Sequence, residues 1–321
     1  YTPIWFMRQA GRYLPEFREI RKNNPNFIDL CLNPSLVNEI TLQPLKRFDI
    51  DAAIIFSDIL MIPYGLGQKV EFKKGVGPIL ENINLDNIIN TDPVDFVQKL
   101  QPVYKGMEKV KNNLKEKPLI GFVGAPWTLL LYMLNKGSPK NNFDLNKITK
   151  DKFLVNRLLK KLEEMICLHI DKQIEAGANI IQIFDSWAGL LPEKELPNYC
   201  YIPILKIVEH VKSKKIPIIC FPKGIGENYL DFCSTVKPDC ISIDYEIDPK
   251  WIKEKLKDIP IQGGLDPKVL LRDKEQIKKN TEKYLNIFKD YPYIFNLGHG
   301  VLPEIKPEMI EYVIQIVRSK E

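Results

Sequence analysis

Short apolar runs alternate with longer amphipathic stretches along this chain. The runs are PIWFM (3–7), DAAIIFS (51–57), PLIGFVG (118–124), NIIQIFD (179–185), IPIIC (216–220), CISI (240–243), IPIQ (259–262) and YIFNL (293–297). Each is rich in β-branched or aromatic residues and nearly continuous in its hydrophobicity, the pattern of strands buried on both faces of a parallel sheet. The stretches between them follow helical spacing. In 151–176, Leu158, Leu162, Met165, Ile166 and Ile170 fall on one face, and Gly177 ends the pattern. Asn33 followed by Pro34 opens another helix running to about Arg47. The stretches 93–114, 191–212, 248–257, 268–288 and 306–319 behave alike, whereas 61–90 carries four glycines and reads as a long loop or small hairpin excursion. Eight strand–helix units without a linker or internal repeat predict an α/β chain wound as a (β/α)8 TIM barrel. Residues 1–321 then form a single domain, with its active-site cleft at the C-terminal ends of the strands. A doubly wound open sheet is the alternative.

That expectation directs attention to the C-terminal end of each strand. The first run delivers Arg8, the second Asp58, the fourth Ser186 and the last His299, the latter between two glycines in NLGHG. Two residues before each stands an apolar side chain, Phe6, Phe56, Phe184 and Leu297. Side chains repeat every second residue along a strand, so each pair shares a face, with an apolar wall below and a polar group above. Plainer roles stay open: Arg8 paired with Glu16, and Asp58 or Ser186 as helix N-caps. His169 and His210 lie within helices and read as packing or surface residues. Arg8 and Arg12, set around Gly11 at the end of an apolar run, suggest an anion to hold.

Composition narrows the classes. Apolar residues make up 45% of the 321 and charged residues 27%, the balance of a soluble globular protein. The net charge of +5 is modest, with no block of like charges, which argues against nucleic acid as a partner. The six cysteines form no C-x-x-C pair and sit among apolar neighbours, as buried thiols in a reducing compartment do. No apolar run approaches the roughly 18 residues of a membrane span, and no signal peptide is visible. The first residue is Tyr1 rather than Met, so removal of an N-terminal segment stays open. Cys167 and His169 point apart on a helix and make a poor metal site; GIG at 224–226 is half a dinucleotide fingerprint. P-loop, G-x-S-x-G and H-E-x-x-H motifs are absent.

Five blocks carry a resemblance. PIWFMRQAGRYLPEFREIR (3–21) closely resembles the N-terminal signature of the uroporphyrinogen decarboxylase family. TLQPLKRFDIDAAIIFSDIL (41–60), GFVGAPWTLLLYML (121–134), QIFDSWAG (182–189) and FNLGHGVLPE (295–304) are similar to its other blocks, in family order, so the likeness spans nearly the whole chain. The resemblance implies a (β/α)8 barrel, a homodimer, no cofactor, no metal and a cytoplasmic location, or a plastid-type organelle if a leader has been removed. It implies a carboxy-lyase that converts the four acetates of uroporphyrinogen to methyls, giving coproporphyrinogen in haem biosynthesis. By motif match it places substrate-binding residues at Arg8, Ala10, Arg12, Arg21, Asp58, Tyr132, Ser186 and His299, with Asp58, Arg8, Tyr132 and His299 as the catalytic group. Tyr132, inside an apolar helix, is indicated by the resemblance alone. Three departures stand out: Trp187 where many members have His, Gly264 where Asn is common, and no lead-in before Pro3.

The implied chemistry suits these residue types. Arginine forks match the carboxylates of the tetrapyrrole, and the Gly11 turn is expected to expose the N–H groups of Gln9 to Arg12. The pyrrole ring can itself serve as electron sink, so Asp58 is expected to accept hydrogen bonds from the ring N–H groups and to stabilise the cation formed. Phe6, Phe56, Phe122 and Phe184 are expected to keep that contact dry. The resemblance makes Arg8 the first suspect as proton donor, although guanidinium is a very weak acid, and His299 is the second candidate. Two rivals share the fold or pocket: a methyltransferase with zinc held by His and Cys, and a tetrapyrrole carrier without activity.

Overall fold

A computed structural model of the protein describes residues 1–73, 75–139 and 144–319. Strand β1 (Ala53–Ile54) is followed by an antiparallel pair, β2 (Val70–Lys73) and β3 (Gly77–Leu80). Then come β4 (Leu119–Gly124), β5 (Ile180–Asp185), β6 (Ile218–Pro222), β7 (Cys240–Ile243), β8 (Ile261–Gly263) and β9 (Tyr293–Ile294). Among the described residues, β1 and β4 to β9 form one seven-stranded sheet in chain order, parallel throughout. Helices cross between successive strands, as in the α/β architecture expected. The excursion at 61–90 is the short helix Met61–Gly65, the β2–β3 hairpin and the helix Leu85–Ile89.

The first apolar run differs from expectation. Residues 3–7 make a single parallel bridge, Ile4 to Phe295, rather than an eighth strand. They nonetheless lie where the two edges of the curled sheet come together. The Phe295 N–H donates to the Pro3 carbonyl at 2.8 Å, and the Asp51 N–H donates to the Ile4 carbonyl at 2.9 Å. Ladder pairing fails because side chains take the donors: Asp51 Oδ2 accepts from Ile4 N–H at 2.6 Å, Gln9 Oε1 from Phe6 N–H at 3.0 Å and Asn296 Oδ1 from Met7 N–H at 3.0 Å. The run at 51–57 shortens to β1 for the same reason, since the Phe56 N–H goes to Thr41 Oγ1.

The helices follow their signals. Pro34–Arg47 starts where Asn33 Oδ1 accepts the N–H groups of Ser35 and Leu36, and Lys152–Glu175 starts at an Asp151 cap and buries Leu158, Leu162, Met165, Ile166 and Ile170. Gly177, at φ 105, turns the chain out of it into β5. Two expected helices are broken near prolines. The stretch 191–212 contains a π turn, Pro197–Tyr201, before Ile202–Ser213, and 268–288 opens with a 3-10 turn, Pro267–Leu271, before Lys274–Ile287. The six cysteines are free thiols, and no described helix is long and apolar enough to cross a membrane.

Two apolar layers result. Between sheet and helices lie Phe6, Phe56, Ile183, Cys220, Ile243 and Leu297 with most of the core. Inside the curl lie Trp5, Met7, Ala52, Ile54, Ile120 and Phe221, with Phe122 and Phe184 against them. Phe6, Phe56 and Leu297 therefore pack outward and do not wall the interior. The alternation that placed Phe6 under Arg8 is broken because Arg8 itself leaves the extended conformation, at φ 59. Phe122 and Phe184 do line the interior, in edge contact at 5.7 Å.

The seam at residues 3–9 yields a prediction. Gln9 is fully buried, accepts from Phe6 N–H and donates to the Ala52 carbonyl. Gln9→Ala leaves both backbone groups unpaired and is expected to cost about 2–4 kcal/mol, read as a lower urea midpoint at unchanged m-value.

Candidate active site

Arg8, Asp58, Ser186 and His299 gather at one end of the sheet. Arg8 is exposed and sits at φ 59, a left-handed conformation uncommon outside glycine. Its side-chain stem lies on Gly300: a Cβ there would stand 2.4 Å from Arg8 Cδ and 2.7 Å from Cγ. The second glycine of NLGHG thus makes room for the arginine, beside His299. Glu16, the partner envisaged for Arg8, instead receives Arg47 through two hydrogen bonds of 2.9 and 3.1 Å. Neither Arg8 nor Arg12 has an ion pair or side-chain hydrogen bond among the described residues.

Asp58 follows β1 and is partly buried. Its Oδ1 accepts from Leu60 N–H at 2.9 Å, a turn just ahead of the helix Met61–Gly65, whose N-cap is Leu60 rather than Asp58. Burial pushes its pKa up to about 6, against the lowering effects of the Leu60 N–H and the Arg8 charge. His299 moves the other way, down to about 4, through burial first and then the charges of Arg8 and Lys223. At neutral pH the site therefore holds an ionised Asp58, a neutral His299 and cations without counter-ions. The Cys31 thiol lies close by. Burial and the Asp58 charge raise its pKa while Arg21 lowers it.

Ser186 sits one residue beyond β5 on the face of Phe184; no hydrogen bond of its hydroxyl occurs among the described residues, so it does not act as a cap. The adjoining backbone is fixed. Thr128 Oγ1 donates to the buried Asp185 Oδ1 at 2.6 Å and accepts from Trp187 N–H at 3.1 Å. That link ties the strand end to the helix Pro126–Asn135, which carries Tyr132. Tyr132 is half-buried and meets Trp187 edge to face at 6.2 Å, so the Trp187 departure packs against Tyr132. At Gly264, the other departure, a Cβ would stand 2.6 Å from the Asp244 carbonyl, so this backbone leaves no room for a larger residue.

The remaining matched residues lie at the edge. Arg21 donates to the carbonyls of Asn24 and Pro25 and stacks over Phe27 at 5.4 Å, so its guanidinium is already partly engaged. Its pKa is lowered, by burial and by the Arg12 charge, which puts the two arginines near one another. Ala10 is half-buried. The Gln9 N–H is spent on the Phe6 carbonyl at 3.0 Å, contrary to expectation, and the amides of Ala10, Gly11 and Arg12 are the ones without a partner among the described residues. His169 is a packing residue as expected, with Nδ1 2.8 Å from Tyr104 Oη, and burial lowers its pKa to about 3. His210 pairs with Asp171 at 2.8 Å.

One strand-end cation escaped the sequence reading. Lys223 follows β6, and the pattern ended that strand at Cys220; in the structure the strand runs on to Pro222, so a strand-end cation was overlooked. Tyr132 had no signal in hydrophobic spacing at all, since the helix around it is buried on nearly every side. Among the described residues, no group of three His, Cys, Asp or Glu side chains is placed to hold a metal ion.

Comparison with known proteins identifies the family. The family profile Uroporphyrinogen decarboxylase (URO-D) matches residues 1–320. A uroporphyrinogen decarboxylase from Rickettsia africae is 44% identical over 325 residues, covering 100% of this chain and 94% of the relative. One from Rickettsia bellii is also 44% identical, covering 99% and 95%. Among solved structures, a methyltransferase from Methanosarcina mazei superposes with a TM-score of 0.80 at 15% identity, over 99% of this chain and 94% of that one. A putative vitamin-B12 independent methionine synthase from Listeria monocytogenes gives 0.56 at 14% identity, over 100% and 96%. At such identities the structural likeness speaks to the fold alone.

The raised pKa of Asp58 has a stability consequence. Between pH 4 and 6 the folded protein binds more protons at this site than the unfolded chain, so the penalty is absent below pH 4 and complete above pH 6. For a shift from 3.8 to about 6 it reaches up to about 3 kcal/mol. Asp58→Asn keeps the acceptor for Leu60 and removes the charge. It is expected to raise the melting temperature at pH 7.5, with the gain vanishing towards pH 4, as thermal melts across that range will show.

Proposed function

The chain belongs to the uroporphyrinogen decarboxylase family, carboxy-lyases of porphyrin biosynthesis, and from that premise we propose how its strand-end cleft handles the tetrapyrrole uroporphyrinogen. The observation that carries the proposal is the half-buried carboxylate of Asp58 set among cations that have no anion of their own. Residues 1–321 act as one domain. Arg8, Arg12, Arg21 and the amides of Ala10 to Arg12 receive substrate carboxylates, with Tyr132, Ser186 and His299 on the remaining sides. Asp58 accepts hydrogen bonds from pyrrole N–H groups beneath the macrocycle.

The reaction then needs a proton and an electron sink, both of which the substrate ring can use. Protonation of a pyrrole carbon gives a ring cation. The bond between the acetate methylene and its carboxylate breaks, carbon dioxide leaves, and the electron pair neutralises the cation as an exocyclic methylene. That methylene takes a proton to become methyl, and loss of the first ring proton restores the pyrrole. One proton is consumed per acetate. Asp58 stabilises the cation at each appearance. At ~4 Å and an effective dielectric of about 20 this attraction is about 4 kcal/mol, an upper bound of roughly a thousandfold in rate. Phe122 and Phe184 supply the apolar floor that keeps the local dielectric low.

Arg8 holds the reacting acetate, since guanidinium is too weak an acid to serve readily as donor. A His299 pKa of about 4 in the free protein favours a neutral, hydrogen-bonding role over that of resting acid. The reading includes a homodimer. Phe153 and Ile202, at the starts of the helices Lys152–Glu175 and Ile202–Ser213, and Leu190, at the end of the 3-10 turn after β5, are exposed on the cleft side of the sheet and give such a dimer apolar surface. It also includes a cytoplasmic location, which suits six free thiols.

Anaerobic incubation with chemically reduced uroporphyrinogen and EDTA, followed by oxidation and chromatography, tests the reading. Products with seven, six, five and four carboxylates are expected, and unchanged substrate from folded protein overturns it. Asp58→Asn is expected to lower kcat by about a hundredfold to a thousandfold. In the wild type, kcat/KM should rise with pH to a plateau with its midpoint near 6, where free Asp58 ionises; a midpoint unaltered in Asp58→Asn would assign it elsewhere.

A further inference from the structure

Lys223 is part of the cleft in a way the matched motifs do not indicate. The β5–β6 register pairs Phe184 with Phe221 and Asp185 with Pro222, and Lys223 N–H continues the ladder to the Asp185 carbonyl at 3.1 Å. The next step of that register sets Lys223 beside Ser186. Strand alternation puts Lys223 on the face of Phe221, which belongs to the interior layer, as Ser186 shares the face of Phe184. The two rings meet at 6.3 Å, so serine and lysine stand side by side on one aromatic floor.

The backbone that presents the lysine is pinned from both sides. Gly189 N–H donates to the Lys223 carbonyl at 2.9 Å, and Gly224 N–H donates to Asp244 Oδ2 at 2.7 Å. Gly189 and Gly224 pass so closely that a Cβ on Gly189 would stand 2.5 Å from the Gly224 carbonyl. The nearest carboxylates do not neutralise Lys223. Asp185 lies on the opposite face of β5 from Phe184 and Ser186, with Oδ1 on Thr128, and Asp244 accepts from Gly224, Tyr229 and the Glu246 N–H. Among the described residues the half-buried Lys223 side chain has no ion pair or hydrogen bond. A half-buried ammonium without an anion loses hydration and gains nothing from the protein, a cost that an incoming anion removes. The lowered pKa of His299, to which the Lys223 charge contributes, agrees with the two facing one space.

We propose that Lys223 is a substrate-binding residue that receives a side-chain carboxylate of the tetrapyrrole at the Ser186 edge of the cleft. The proposal rests on the functional reading above and adds a cation on the side opposite the arginine segment, so that both flanks of the macrocycle are held by charge.

The test pairs binding with turnover. Oxidised uroporphyrin, fluorescent and carrying the same carboxylates, serves as binding probe; uroporphyrinogen serves for kinetics. Lys223→Gln is expected to weaken probe binding and raise KM by about tenfold, with kcat reduced less than threefold. Lys223→Arg should recover most of the affinity. Lys257→Gln, an exposed charge ahead of β8 at the opposite end of the sheet, controls for net charge and should bind like the wild type. NMR titration of His299 should move upward in folded Lys223→Gln. Probe binding and KM within twofold of wild type in Lys223→Gln overturn the proposal while leaving the activity standing. Wild-type protein that binds the probe in a Lys223-dependent way without decarboxylating uroporphyrinogen overturns the activity and upholds the site. Wild-type protein that does not bind the probe overturns both.

Discussion

The hydrogen bond from Met7 N–H to Asn296 Oδ1 sits where the sheet meets its own beginning, and the site depends on it. Asn296 also accepts from Leu297 N–H at 2.8 Å, so one amide oxygen fixes the backbone just before Arg8 and just before His299. The Val301 N–H then donates to the Met7 carbonyl at 2.9 Å, which holds Gly300 against the Arg8 stem. With Gln9 on the other flank, three side-chain amides and carboxylates replace strand pairing along residues 3–9. A regular ladder would have left Arg8 extended. Side-chain capture instead lets the chain turn at φ 59 and send a guanidinium toward Asp58 and His299.

The site is costly by construction. Asp58 is ionised at neutral pH against a burial that favours its neutral form, His299 is kept neutral beside two cations, and Arg8 occupies a backbone region disfavoured outside glycine. None of these contributes to folding. They are tolerated because the layer below is rigid: Trp5 Nε1 donates to Gln262 Oε1 at 2.9 Å, and Gln262 in turn reaches Gln182 and Ser242, a polar belt inside an otherwise apolar interior. Strain at the rim rests on packing beneath it.

Much of this was legible in the sequence, and the exceptions are instructive. Seven of the eight apolar runs became strands because continuous β-branched residues have no other buried arrangement at that length. The gathering of Asp58, Ser186 and His299 at one end of the sheet was legible from position, since residues that follow parallel strands share that end whatever their type. Two features were misplaced or missed where a local hydrogen bond or a proline overrode periodicity, and a third carried no periodic signal. Phe6 and Phe56 were placed in the interior by counting in twos, yet Gln9 and Thr41 capture their N–H groups and the alternation does not survive the bends. Lys223 was missed because Phe221 and Pro222 extend β6, and proline is a poor predictor of continued strand. Tyr132 lies on a helix buried nearly all round, where amphipathic spacing carries no information about which side chain reaches the cleft.

The charge balance of the cleft bears on turnover. On the proposed reading the substrate enters with acetates and propionates on every side, and the cations of the arginine segment and Lys223 meet it without internal anions to displace. Each decarboxylation removes one negative charge, so the electrostatic part of binding declines step by step while the propionates and the Asp58 contact persist. Intermediates that still carry acetates are thereby held more tightly than the finished product. A cleft whose cations were already paired within the protein would bind more weakly and discriminate less between substrate and product, because each contact would exchange one carboxylate for another. Leaving Arg8, Arg12 and Lys223 unpaired therefore serves selectivity as well as affinity, and it accords with Asp244 and Glu16 being committed to other partners while Asp185 faces Thr128 on the far side of β5.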